Sequence, residues 1–373
     1  MNPKRSWSEV KTCLTVVAAL MLAGCGGSQS STLSQPAAKS EFLYATGQNQ
    51  ILSFTIDPST GALGTATPTP GPDTEDGITT TIAADPAAKF LFVYDTVGFA
   101  INVFSINANT GALTASGSPF SAKGLFPSGL ATDSTGNYLY VAGVSAVGAF
   151  NVNRATGALT DVGGSPFADD KGPLGVVADA AGGFVYAGNT GGIPPATISG
   201  FAIDSSSGAL TPVPGSPFST PIGFSPFSFA VHPSGKFLYA DIETGIEGWA
   251  IDSATGAITT VVPGSPFAVN STSIVIDPTG KFLYASGTSI YGFAIDSNTG
   301  ALSPMNGSPF SVLAPGNPFI DPSGQFMYTP LGPFIFGIGI DASTGALTAL
   351  SGSPFPTGAT LTARPTLAIV KAP

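Results

Sequence analysis

The chain has 373 residues, of which only 9% are charged, with 12 basic against 22 acidic side chains and a mean hydropathy of +0.33. So few cations on an acidic chain exclude a nucleic-acid binder, which needs lysine and arginine to neutralise phosphates. The hydropathy points toward a membrane protein, yet no apolar run beyond the first 24 residues approaches the ~20 residues of a spanning helix, and the short strands read below fall under the ~9–11 residues of a membrane barrel strand.

Lys4, Arg5 and Lys11 form a basic start, and Leu14 to Ala23 is apolar. This is the pattern of a secretory signal peptide over residues 1–24. It ends in Leu22-Ala23-Gly24-Cys25, which resembles the bacterial lipobox. The resemblance implies cleavage before Cys25 and lipidation of that residue. The alternative is an ordinary signal peptide beside a chance cysteine. Cys13 lies in the removed segment, so the mature chain has no disulfide. Removing residues 1–24 leaves 9 basic and 21 acidic residues, a formal net charge of −12. Residues 25–40 are rich in Gly, Ser and Gln and read as a flexible tether of about 20 Å r.m.s. reach. The expected place is the bacterial cell envelope, on the outer membrane or the periplasmic face. Contact with the membrane is expected through the lipid alone.

From residue 41 onward the chain repeats itself. Thr-Gly-Ala-Leu or a close variant occurs seven times, with glycines at 61, 111, 157, 208, 256, 300 and 345, spaced by 44 to 51 residues. A period of this length signals a repeat architecture. In the clearest copy four short apolar runs follow one another: Ser273 to Ile276, Phe282 to Ser286, Ile290 to Ile295 and Ala301 to Pro304. They are β-branched and aromatic and too short for helices, so they read as strands A, B, C and D. Asp277-Pro278-Thr279-Gly280 has the composition of a type I turn between A and B. Asp296 to Gly300 joins C to D, with an aspartate to accept a backbone N–H and a glycine free to take positive φ. Gly-Ser-Pro-Phe closes the unit at Gly307 and recurs at Gly117, Gly164, Gly215, Gly264 and Gly352; the first repeat carries a Pro-rich, acidic stretch instead.

Four strands at this period predict an all-β fold, a seven-bladed β-propeller of four antiparallel strands per blade over residues 41–373. The mature chain opens on a B strand, Phe42 to Ala45, and ends on an A strand, Thr366 to Val370. The C-terminal strand is therefore expected to complete the N-terminal blade and close the ring without an exposed edge.

This strand order puts A–B and C–D turns on one face and B–C and D–A loops on the other. The first set repeats closely, so its charges follow from turn geometry. That covers His232, the only histidine, which stands where other repeats have Asp85, Asp133, Asp179, Asp277 and Asp321. It also covers Arg154 in a C–D turn. Serine–histidine catalysis and histidine-ligated metals are thereby disfavoured. The second set varies and is where binding is expected. Asp95 and Asp241 stand at or just past the ends of B strands, and Glu243 is two residues after Asp241, on the same side if the strand continues. Lys123, Lys171 and Arg364 fall in D–A loops. A carboxylate that activates water and a cation that steadies an oxyanion suffice for ester or lactone hydrolysis. Asp241, Glu243 and Arg364 are the candidate catalytic residues, and Asp95, Lys123 and Lys171 the candidate ligand-binding ones. The structural alternative for each is a solvated loop charge. Asp73-Thr74-Glu75-Asp76-Gly77 lacks the alternation of a calcium loop and reads as solvated; no metal and no cofactor is expected.

The motifs Asp277-Pro278-Thr279-Gly280-Lys281-Phe282-Leu283-Tyr284 and Phe293-Ala294-Ile295-Asp296, the latter followed by Thr299-Gly300-Ala301-Leu302, resemble those of the seven-bladed lactonase propeller family. That family holds 6-phosphogluconolactonase-like proteins and carboxymuconate cyclases and shades into YVTN-type surface propellers. The resemblance spans residues 41–370 and implies a lactonase. Catalytic members use His, Arg and Glu around the channel, and here no histidine is available there. An acidic face also suits a phosphorylated sugar poorly. Two readings stand: an exported hydrolase of a neutral lactone or sugar-derived ester, or a non-catalytic propeller that binds a small molecule or an envelope partner. A monomer is expected in either case.

Overall fold

The computed structural model describes residues 40–71, 81–95, 97–117, 119–122, 125, 128–143, 145–169, 172–189, 196–220, 228–242, 245–311, 316–362 and 365–373. Among them there is no helix, and the strands form seven separate antiparallel sheets that follow one another in chain order. Blade 5 consists of Phe229–Val231, Phe237–Ile242, Gly245–Ile251 and Ile258–Val261. Blade 6 consists of Ser271–Ile276, Phe282–Gly287, Ile290–Ile295 and Leu302–Pro304. The A strand of every blade, which in blade 1 is the C-terminal Leu367–Lys371, touches the A strand of the next, all the way round, so the A strands line the axis and the D strands lie outside. The seven-bladed propeller expected from the repeat is the fold observed.

The B strands explain why the ring holds. Their side chains alternate between two neighbours, not between core and water. In Phe237-Leu238-Tyr239-Ala240, Phe237 and Tyr239 join the core shared with blade 6, while Leu238 and Ala240 join the core shared with blade 4. Seven such cores fill the seven gaps. Each large apolar side chain so buried contributes about 1.5–3 kcal/mol.

Two repeated contacts lock adjacent blades together. The Tyr239 hydroxyl donates to the Gly300 carbonyl of the next blade at 2.7 Å. Gly300 has φ +74°, and a Cβ there would stand 2.6 Å from the Phe237 ring. Only glycine permits both the turn and the close approach. The hydroxyl bond recurs from Tyr44, Tyr140, Tyr186 and Tyr284, and Tyr328 of blade 7 reaches Gly61 of blade 1 at 2.7 Å. Burial raises the pKa of these phenols, so they remain donors. Blade 2 alone has Phe92 at this position.

Gly-Ser-Pro-Phe does more than return the chain. Its phenylalanine bridges the start of strand C, as Phe218 does with Ile198 and Phe355 with Ile335, adding a short fifth strand. Its serine accepts the amide of a C-strand residue, as Ser265 does from Gly248 at 2.9 Å and Ser308 from Gly292 at 3.0 Å. In blade 1 the Thr67–Pro70 strand pairs with Gln50 to Ser53 and fills that same place. The Pro-rich stretch of the first repeat thus substitutes for the missing motif.

The seam forms as expected. Leu367–Lys371 pairs antiparallel with the first strand, Ala45 opposite Leu367 and Glu41 opposite Lys371. Lys371 Nζ lies 2.9 Å from the buried Glu41 carboxylate. Burial raises the Glu41 pKa; Lys371 opposes this and Asp321 adds to it.

Candidate functional site

The turn face is accounted for by structure. In C–D turns the leading aspartate caps its own loop: Asp296 Oδ1 accepts from Asn298 N at 2.9 Å and Thr299 N at 2.8 Å, which lowers its pKa. Arg154 donates through Nη1 to Asp85 Oδ1 at 2.7 Å, through Nη2 to Oδ2 at 3.0 Å, and to the Gly136 carbonyl at 2.6 Å. His232 is buried. Its Nε2 faces the Gly280 carbonyl of the next blade at 2.8 Å, and its Nδ1 faces the Ser234 amide at 3.1 Å. A carbonyl only accepts and an amide only donates, so the proton sits on Nε2. The histidine both caps its turn and ties blade 5 to blade 6.

On the opposite face the structure redistributes the candidates. Asp95 ends its B strand, half-buried, and Oδ1 accepts from Val97 N at 2.9 Å and Gly98 N at 2.7 Å. Its carboxylate caps the B–C turn, a structural role that the sequence reading had not given it. Asp241 is not a loop charge. It lies within Phe237–Ile242, is 6% exposed, and occupies the fifth position of the strand, on the side of blade 6. Ser271, the first residue of the inner strand of blade 6, donates to Asp241 Oδ1 at 2.8 Å. Burial pushes the Asp241 pKa up to about 6, against the lowering effect of this hydroxyl. Glu243, Lys123, Lys171, Arg364, Cys25 and Asp73 to Asp76 lie outside the described residues.

Besides Glu41 at the seam, two buried acids escaped the sequence reading. Asp169 accepts from Ser199 Oγ at 3.0 Å, and Asn189 Nδ2 donates to Ser199 Oγ at 2.8 Å and Thr197 Oγ1 at 3.1 Å. Glu247 is 2% exposed, and burial raises its pKa against a Ser265 hydrogen bond. Both were visible as departures from the repeat: Asp169 stands where Ala122, Thr220, Val269, Val312 and Thr357 follow the other Gly-Ser-Pro-Phe motifs, and Glu247 interrupts an apolar C strand. The described cations, Lys89, Arg154, Lys236, Lys281 and Lys371, all lie on the turn side. Among the described residues no group of three His, Cys, Asp or Glu side chains is placed to hold a metal, and no helix is long and apolar enough to cross a membrane. Clefts of about 480 Å³ and 310 Å³ open between the outer strands of blades 7 and 1 and of blades 4 and 5, away from Asp241.

The arrangement around Asp241 can do base chemistry. A carboxylate with a pKa near 6 is ionised at neutral pH and still accepts a proton more readily than a solvated aspartate.

No curated protein matches the chain. Solved structures share the fold. A protein of Bacteroides fragilis provisionally assigned as a 6-phosphogluconolactonase is 20% identical, with 91% of this chain and 99% of that one covered at a TM-score of 0.68. The periplasmic gluconolactonase of Pseudomonas aeruginosa is 16% identical, with 90% and 100% covered at a TM-score of 0.65. A family model described as lactonase, 7-bladed beta-propeller, matches residues 48–170 and 201–351. That match runs along most of a ring with the seven blades the family is defined by, and the chain belongs to the seven-bladed β-propeller lactonase family.

Proposed function

We propose that the protein hydrolyses a neutral lactone or sugar-derived ester on the face formed by the B–C and D–A loops, with Asp241 as general base. The observation that carries this is a buried carboxylate, paired only with a serine hydroxyl in the described structure, where no turn geometry calls for one. In the proposed step Asp241 takes a proton from water as the water oxygen bonds to the lactone carbonyl carbon. The ring C–O bond then breaks, the proton passes to the leaving oxygen, and a hydroxy acid results. Arg364 is assigned to the developing oxyanion and Glu243 to the second carboxylate of the site; Asp95, Lys123 and Lys171 remain proposed ligand contacts. Family membership supports the reaction class. The excess of acid over base favours an uncharged substrate over a phosphorylated one.

The test is turnover of purified protein on gluconolactone, its 6-phosphate and simple neutral lactones. Hydrolysis of neutral lactones that falls at least about 10²-fold in Asp241→Asn and Arg364→Ala supports the proposal. Equal activity in Asp241→Asn overturns it. A second reading, a non-catalytic binding propeller, is favoured by one observation. Val97, Phe99, Leu331 and Phe334 are exposed apolar residues on B–C hairpins of the same face. No turnover on any lactone selects that reading.

Export as a lipoprotein of the cell envelope is proposed on Leu22-Ala23-Gly24-Cys25. Fatty-acid labelling of the wild type but not of Cys25→Ser supports it, and an unlabelled wild type refutes it.

A further inference from the structure

We propose that Ser271 is a positioning residue that holds the Asp241 carboxylate in its reactive orientation across the gap between blades 5 and 6. The inference rests on the hydrolase reading above.

Three features single this contact out. First, Ser271 and Asp241 are 30 residues apart and both buried, so their 2.8 Å bond is made by blade packing and not by a local turn. Secondly, the inner strand of blade 6 shifts register between Ser271 and Ser273, with Ser271 opposite Gly287 and Ser273 opposite Ser286. Such a bulge bends a strand and re-aims the side chains beside it. Thirdly, the backbone on both sides is pinned. Asp241 N donates to the Ser228 carbonyl at 2.8 Å, and Ile274 N donates to Ser228 Oγ at 3.0 Å. The two blades are therefore fixed to each other at this point, and a single hydroxyl decides where the carboxylate points.

No other blade repeats the pair. The fifth B-strand position holds Thr46, Tyr94, Ala142, Gly188, Ser286 and Pro330 elsewhere. No charged side chain among the described residues acts on Asp241. Glu247 lies on the neighbouring strand opposite Ala240, whose side chain belongs to the core with blade 4. Ser228 and Ser273, whose hydroxyls lie 3.4 Å apart, are further polar groups at this junction among the described residues. The Ser271 hydroxyl favours the ionised carboxylate, so its removal disfavours ionisation.

The experiment compares wild type, Ser271→Ala and Ser271→Thr in two ways. Infrared difference titration, with Asp241→Asn as the blank, follows the carboxyl group without any substrate. The pH dependence of lactone hydrolysis follows its work. Ser271→Ala is expected to move the Asp241 titration to higher pH, to shift the acid limb of kcat with it, and to lower kcat about tenfold at unchanged KM. Ser271→Thr is expected to restore all three. An Asp241 titration that does not move in Ser271→Ala overturns the proposal whether or not the wild type turns over. A moved titration with no turnover by the wild type keeps the hydrogen bond, overturns the catalytic role of Ser271 and refutes the hydrolase reading itself. Should Ser271→Ala lose its cooperative melt, Ser271→Thr and Ser271→Cys carry the same titration test.

Discussion

Asp241 costs the fold stability, and the sign can be worked out. Its pKa rises from the ordinary 3.8 to about 6 in the folded chain. The folded state thus holds the proton more tightly than the unfolded one. The stability linked to that proton is fully present below about pH 4 and is lost as the pH climbs through 6. The difference is on the order of 2–3 kcal/mol at neutral pH. Asp241→Asn is therefore expected to melt higher than wild type at pH 7, with the advantage vanishing near pH 4. Equal melting at both pH values refutes the buried, unbalanced charge. His232 makes the contrasting case. His232→Asp restores what the other repeats place there and keeps the turn cap, but aspartate cannot donate to the Gly280 carbonyl. A loss of about 1 kcal/mol in denaturant unfolding is expected, with turnover unchanged. Loss of turnover would put the chemistry on the wrong face.

At the scale of the blade, one B-strand rule governs the ring. The first and third positions carry an aromatic toward the next blade, and the second and fourth carry a compact residue toward the previous one, apolar everywhere except at Thr329. The third position adds a hydroxyl that reaches the neighbour's turn glycine, except at Phe92. Phe92 is fully buried, and Gly157 is the turn glycine opposite it in the repeat pattern. Phe92→Tyr is expected to supply the missing bond and raise stability by about 1 kcal/mol, read from the shift in urea midpoint at constant slope. A destabilised variant would mean that the gap between blades 2 and 3 is too tightly packed to admit the oxygen.

Over the whole molecule, stability is shared around a closed circle. Every blade depends on two neighbours, and blade 1 depends on a strand from the far end of the chain. Deleting residues 367–373 removes the inner strand of blade 1 and leaves Glu41 without Lys371. Two cores, those between blades 7 and 1 and between blades 1 and 2, lose members at once. The truncated chain is expected to lose the single cooperative melt and to expose an unpaired edge that associates. A melt like that of the full chain would show that the ring does not need its seam.

The number of blades, the strand order within each and the split first blade were legible in the sequence because each has a local cause. Turn aspartates, positive-φ glycines and short apolar runs act within a few residues, and the period counts them. The seam followed from a chain that starts on a B strand and ends on an A strand. What the sequence left open was which polar groups become neighbours. Tyr239 and Gly300 are 61 residues apart, and Asp241 and Ser271 are 30 apart. No local rule joins them, since each bond crosses from one blade to the next. The same is true of burial. Asp95 and Asp241 look alike at the ends of B strands, yet one caps its own hairpin in partial contact with water and the other is shut between two blades. The tertiary packing, which shuts Asp241 between two blades and leaves Asp95 in partial contact with water, decided that Asp241 has a pKa raised to about 6.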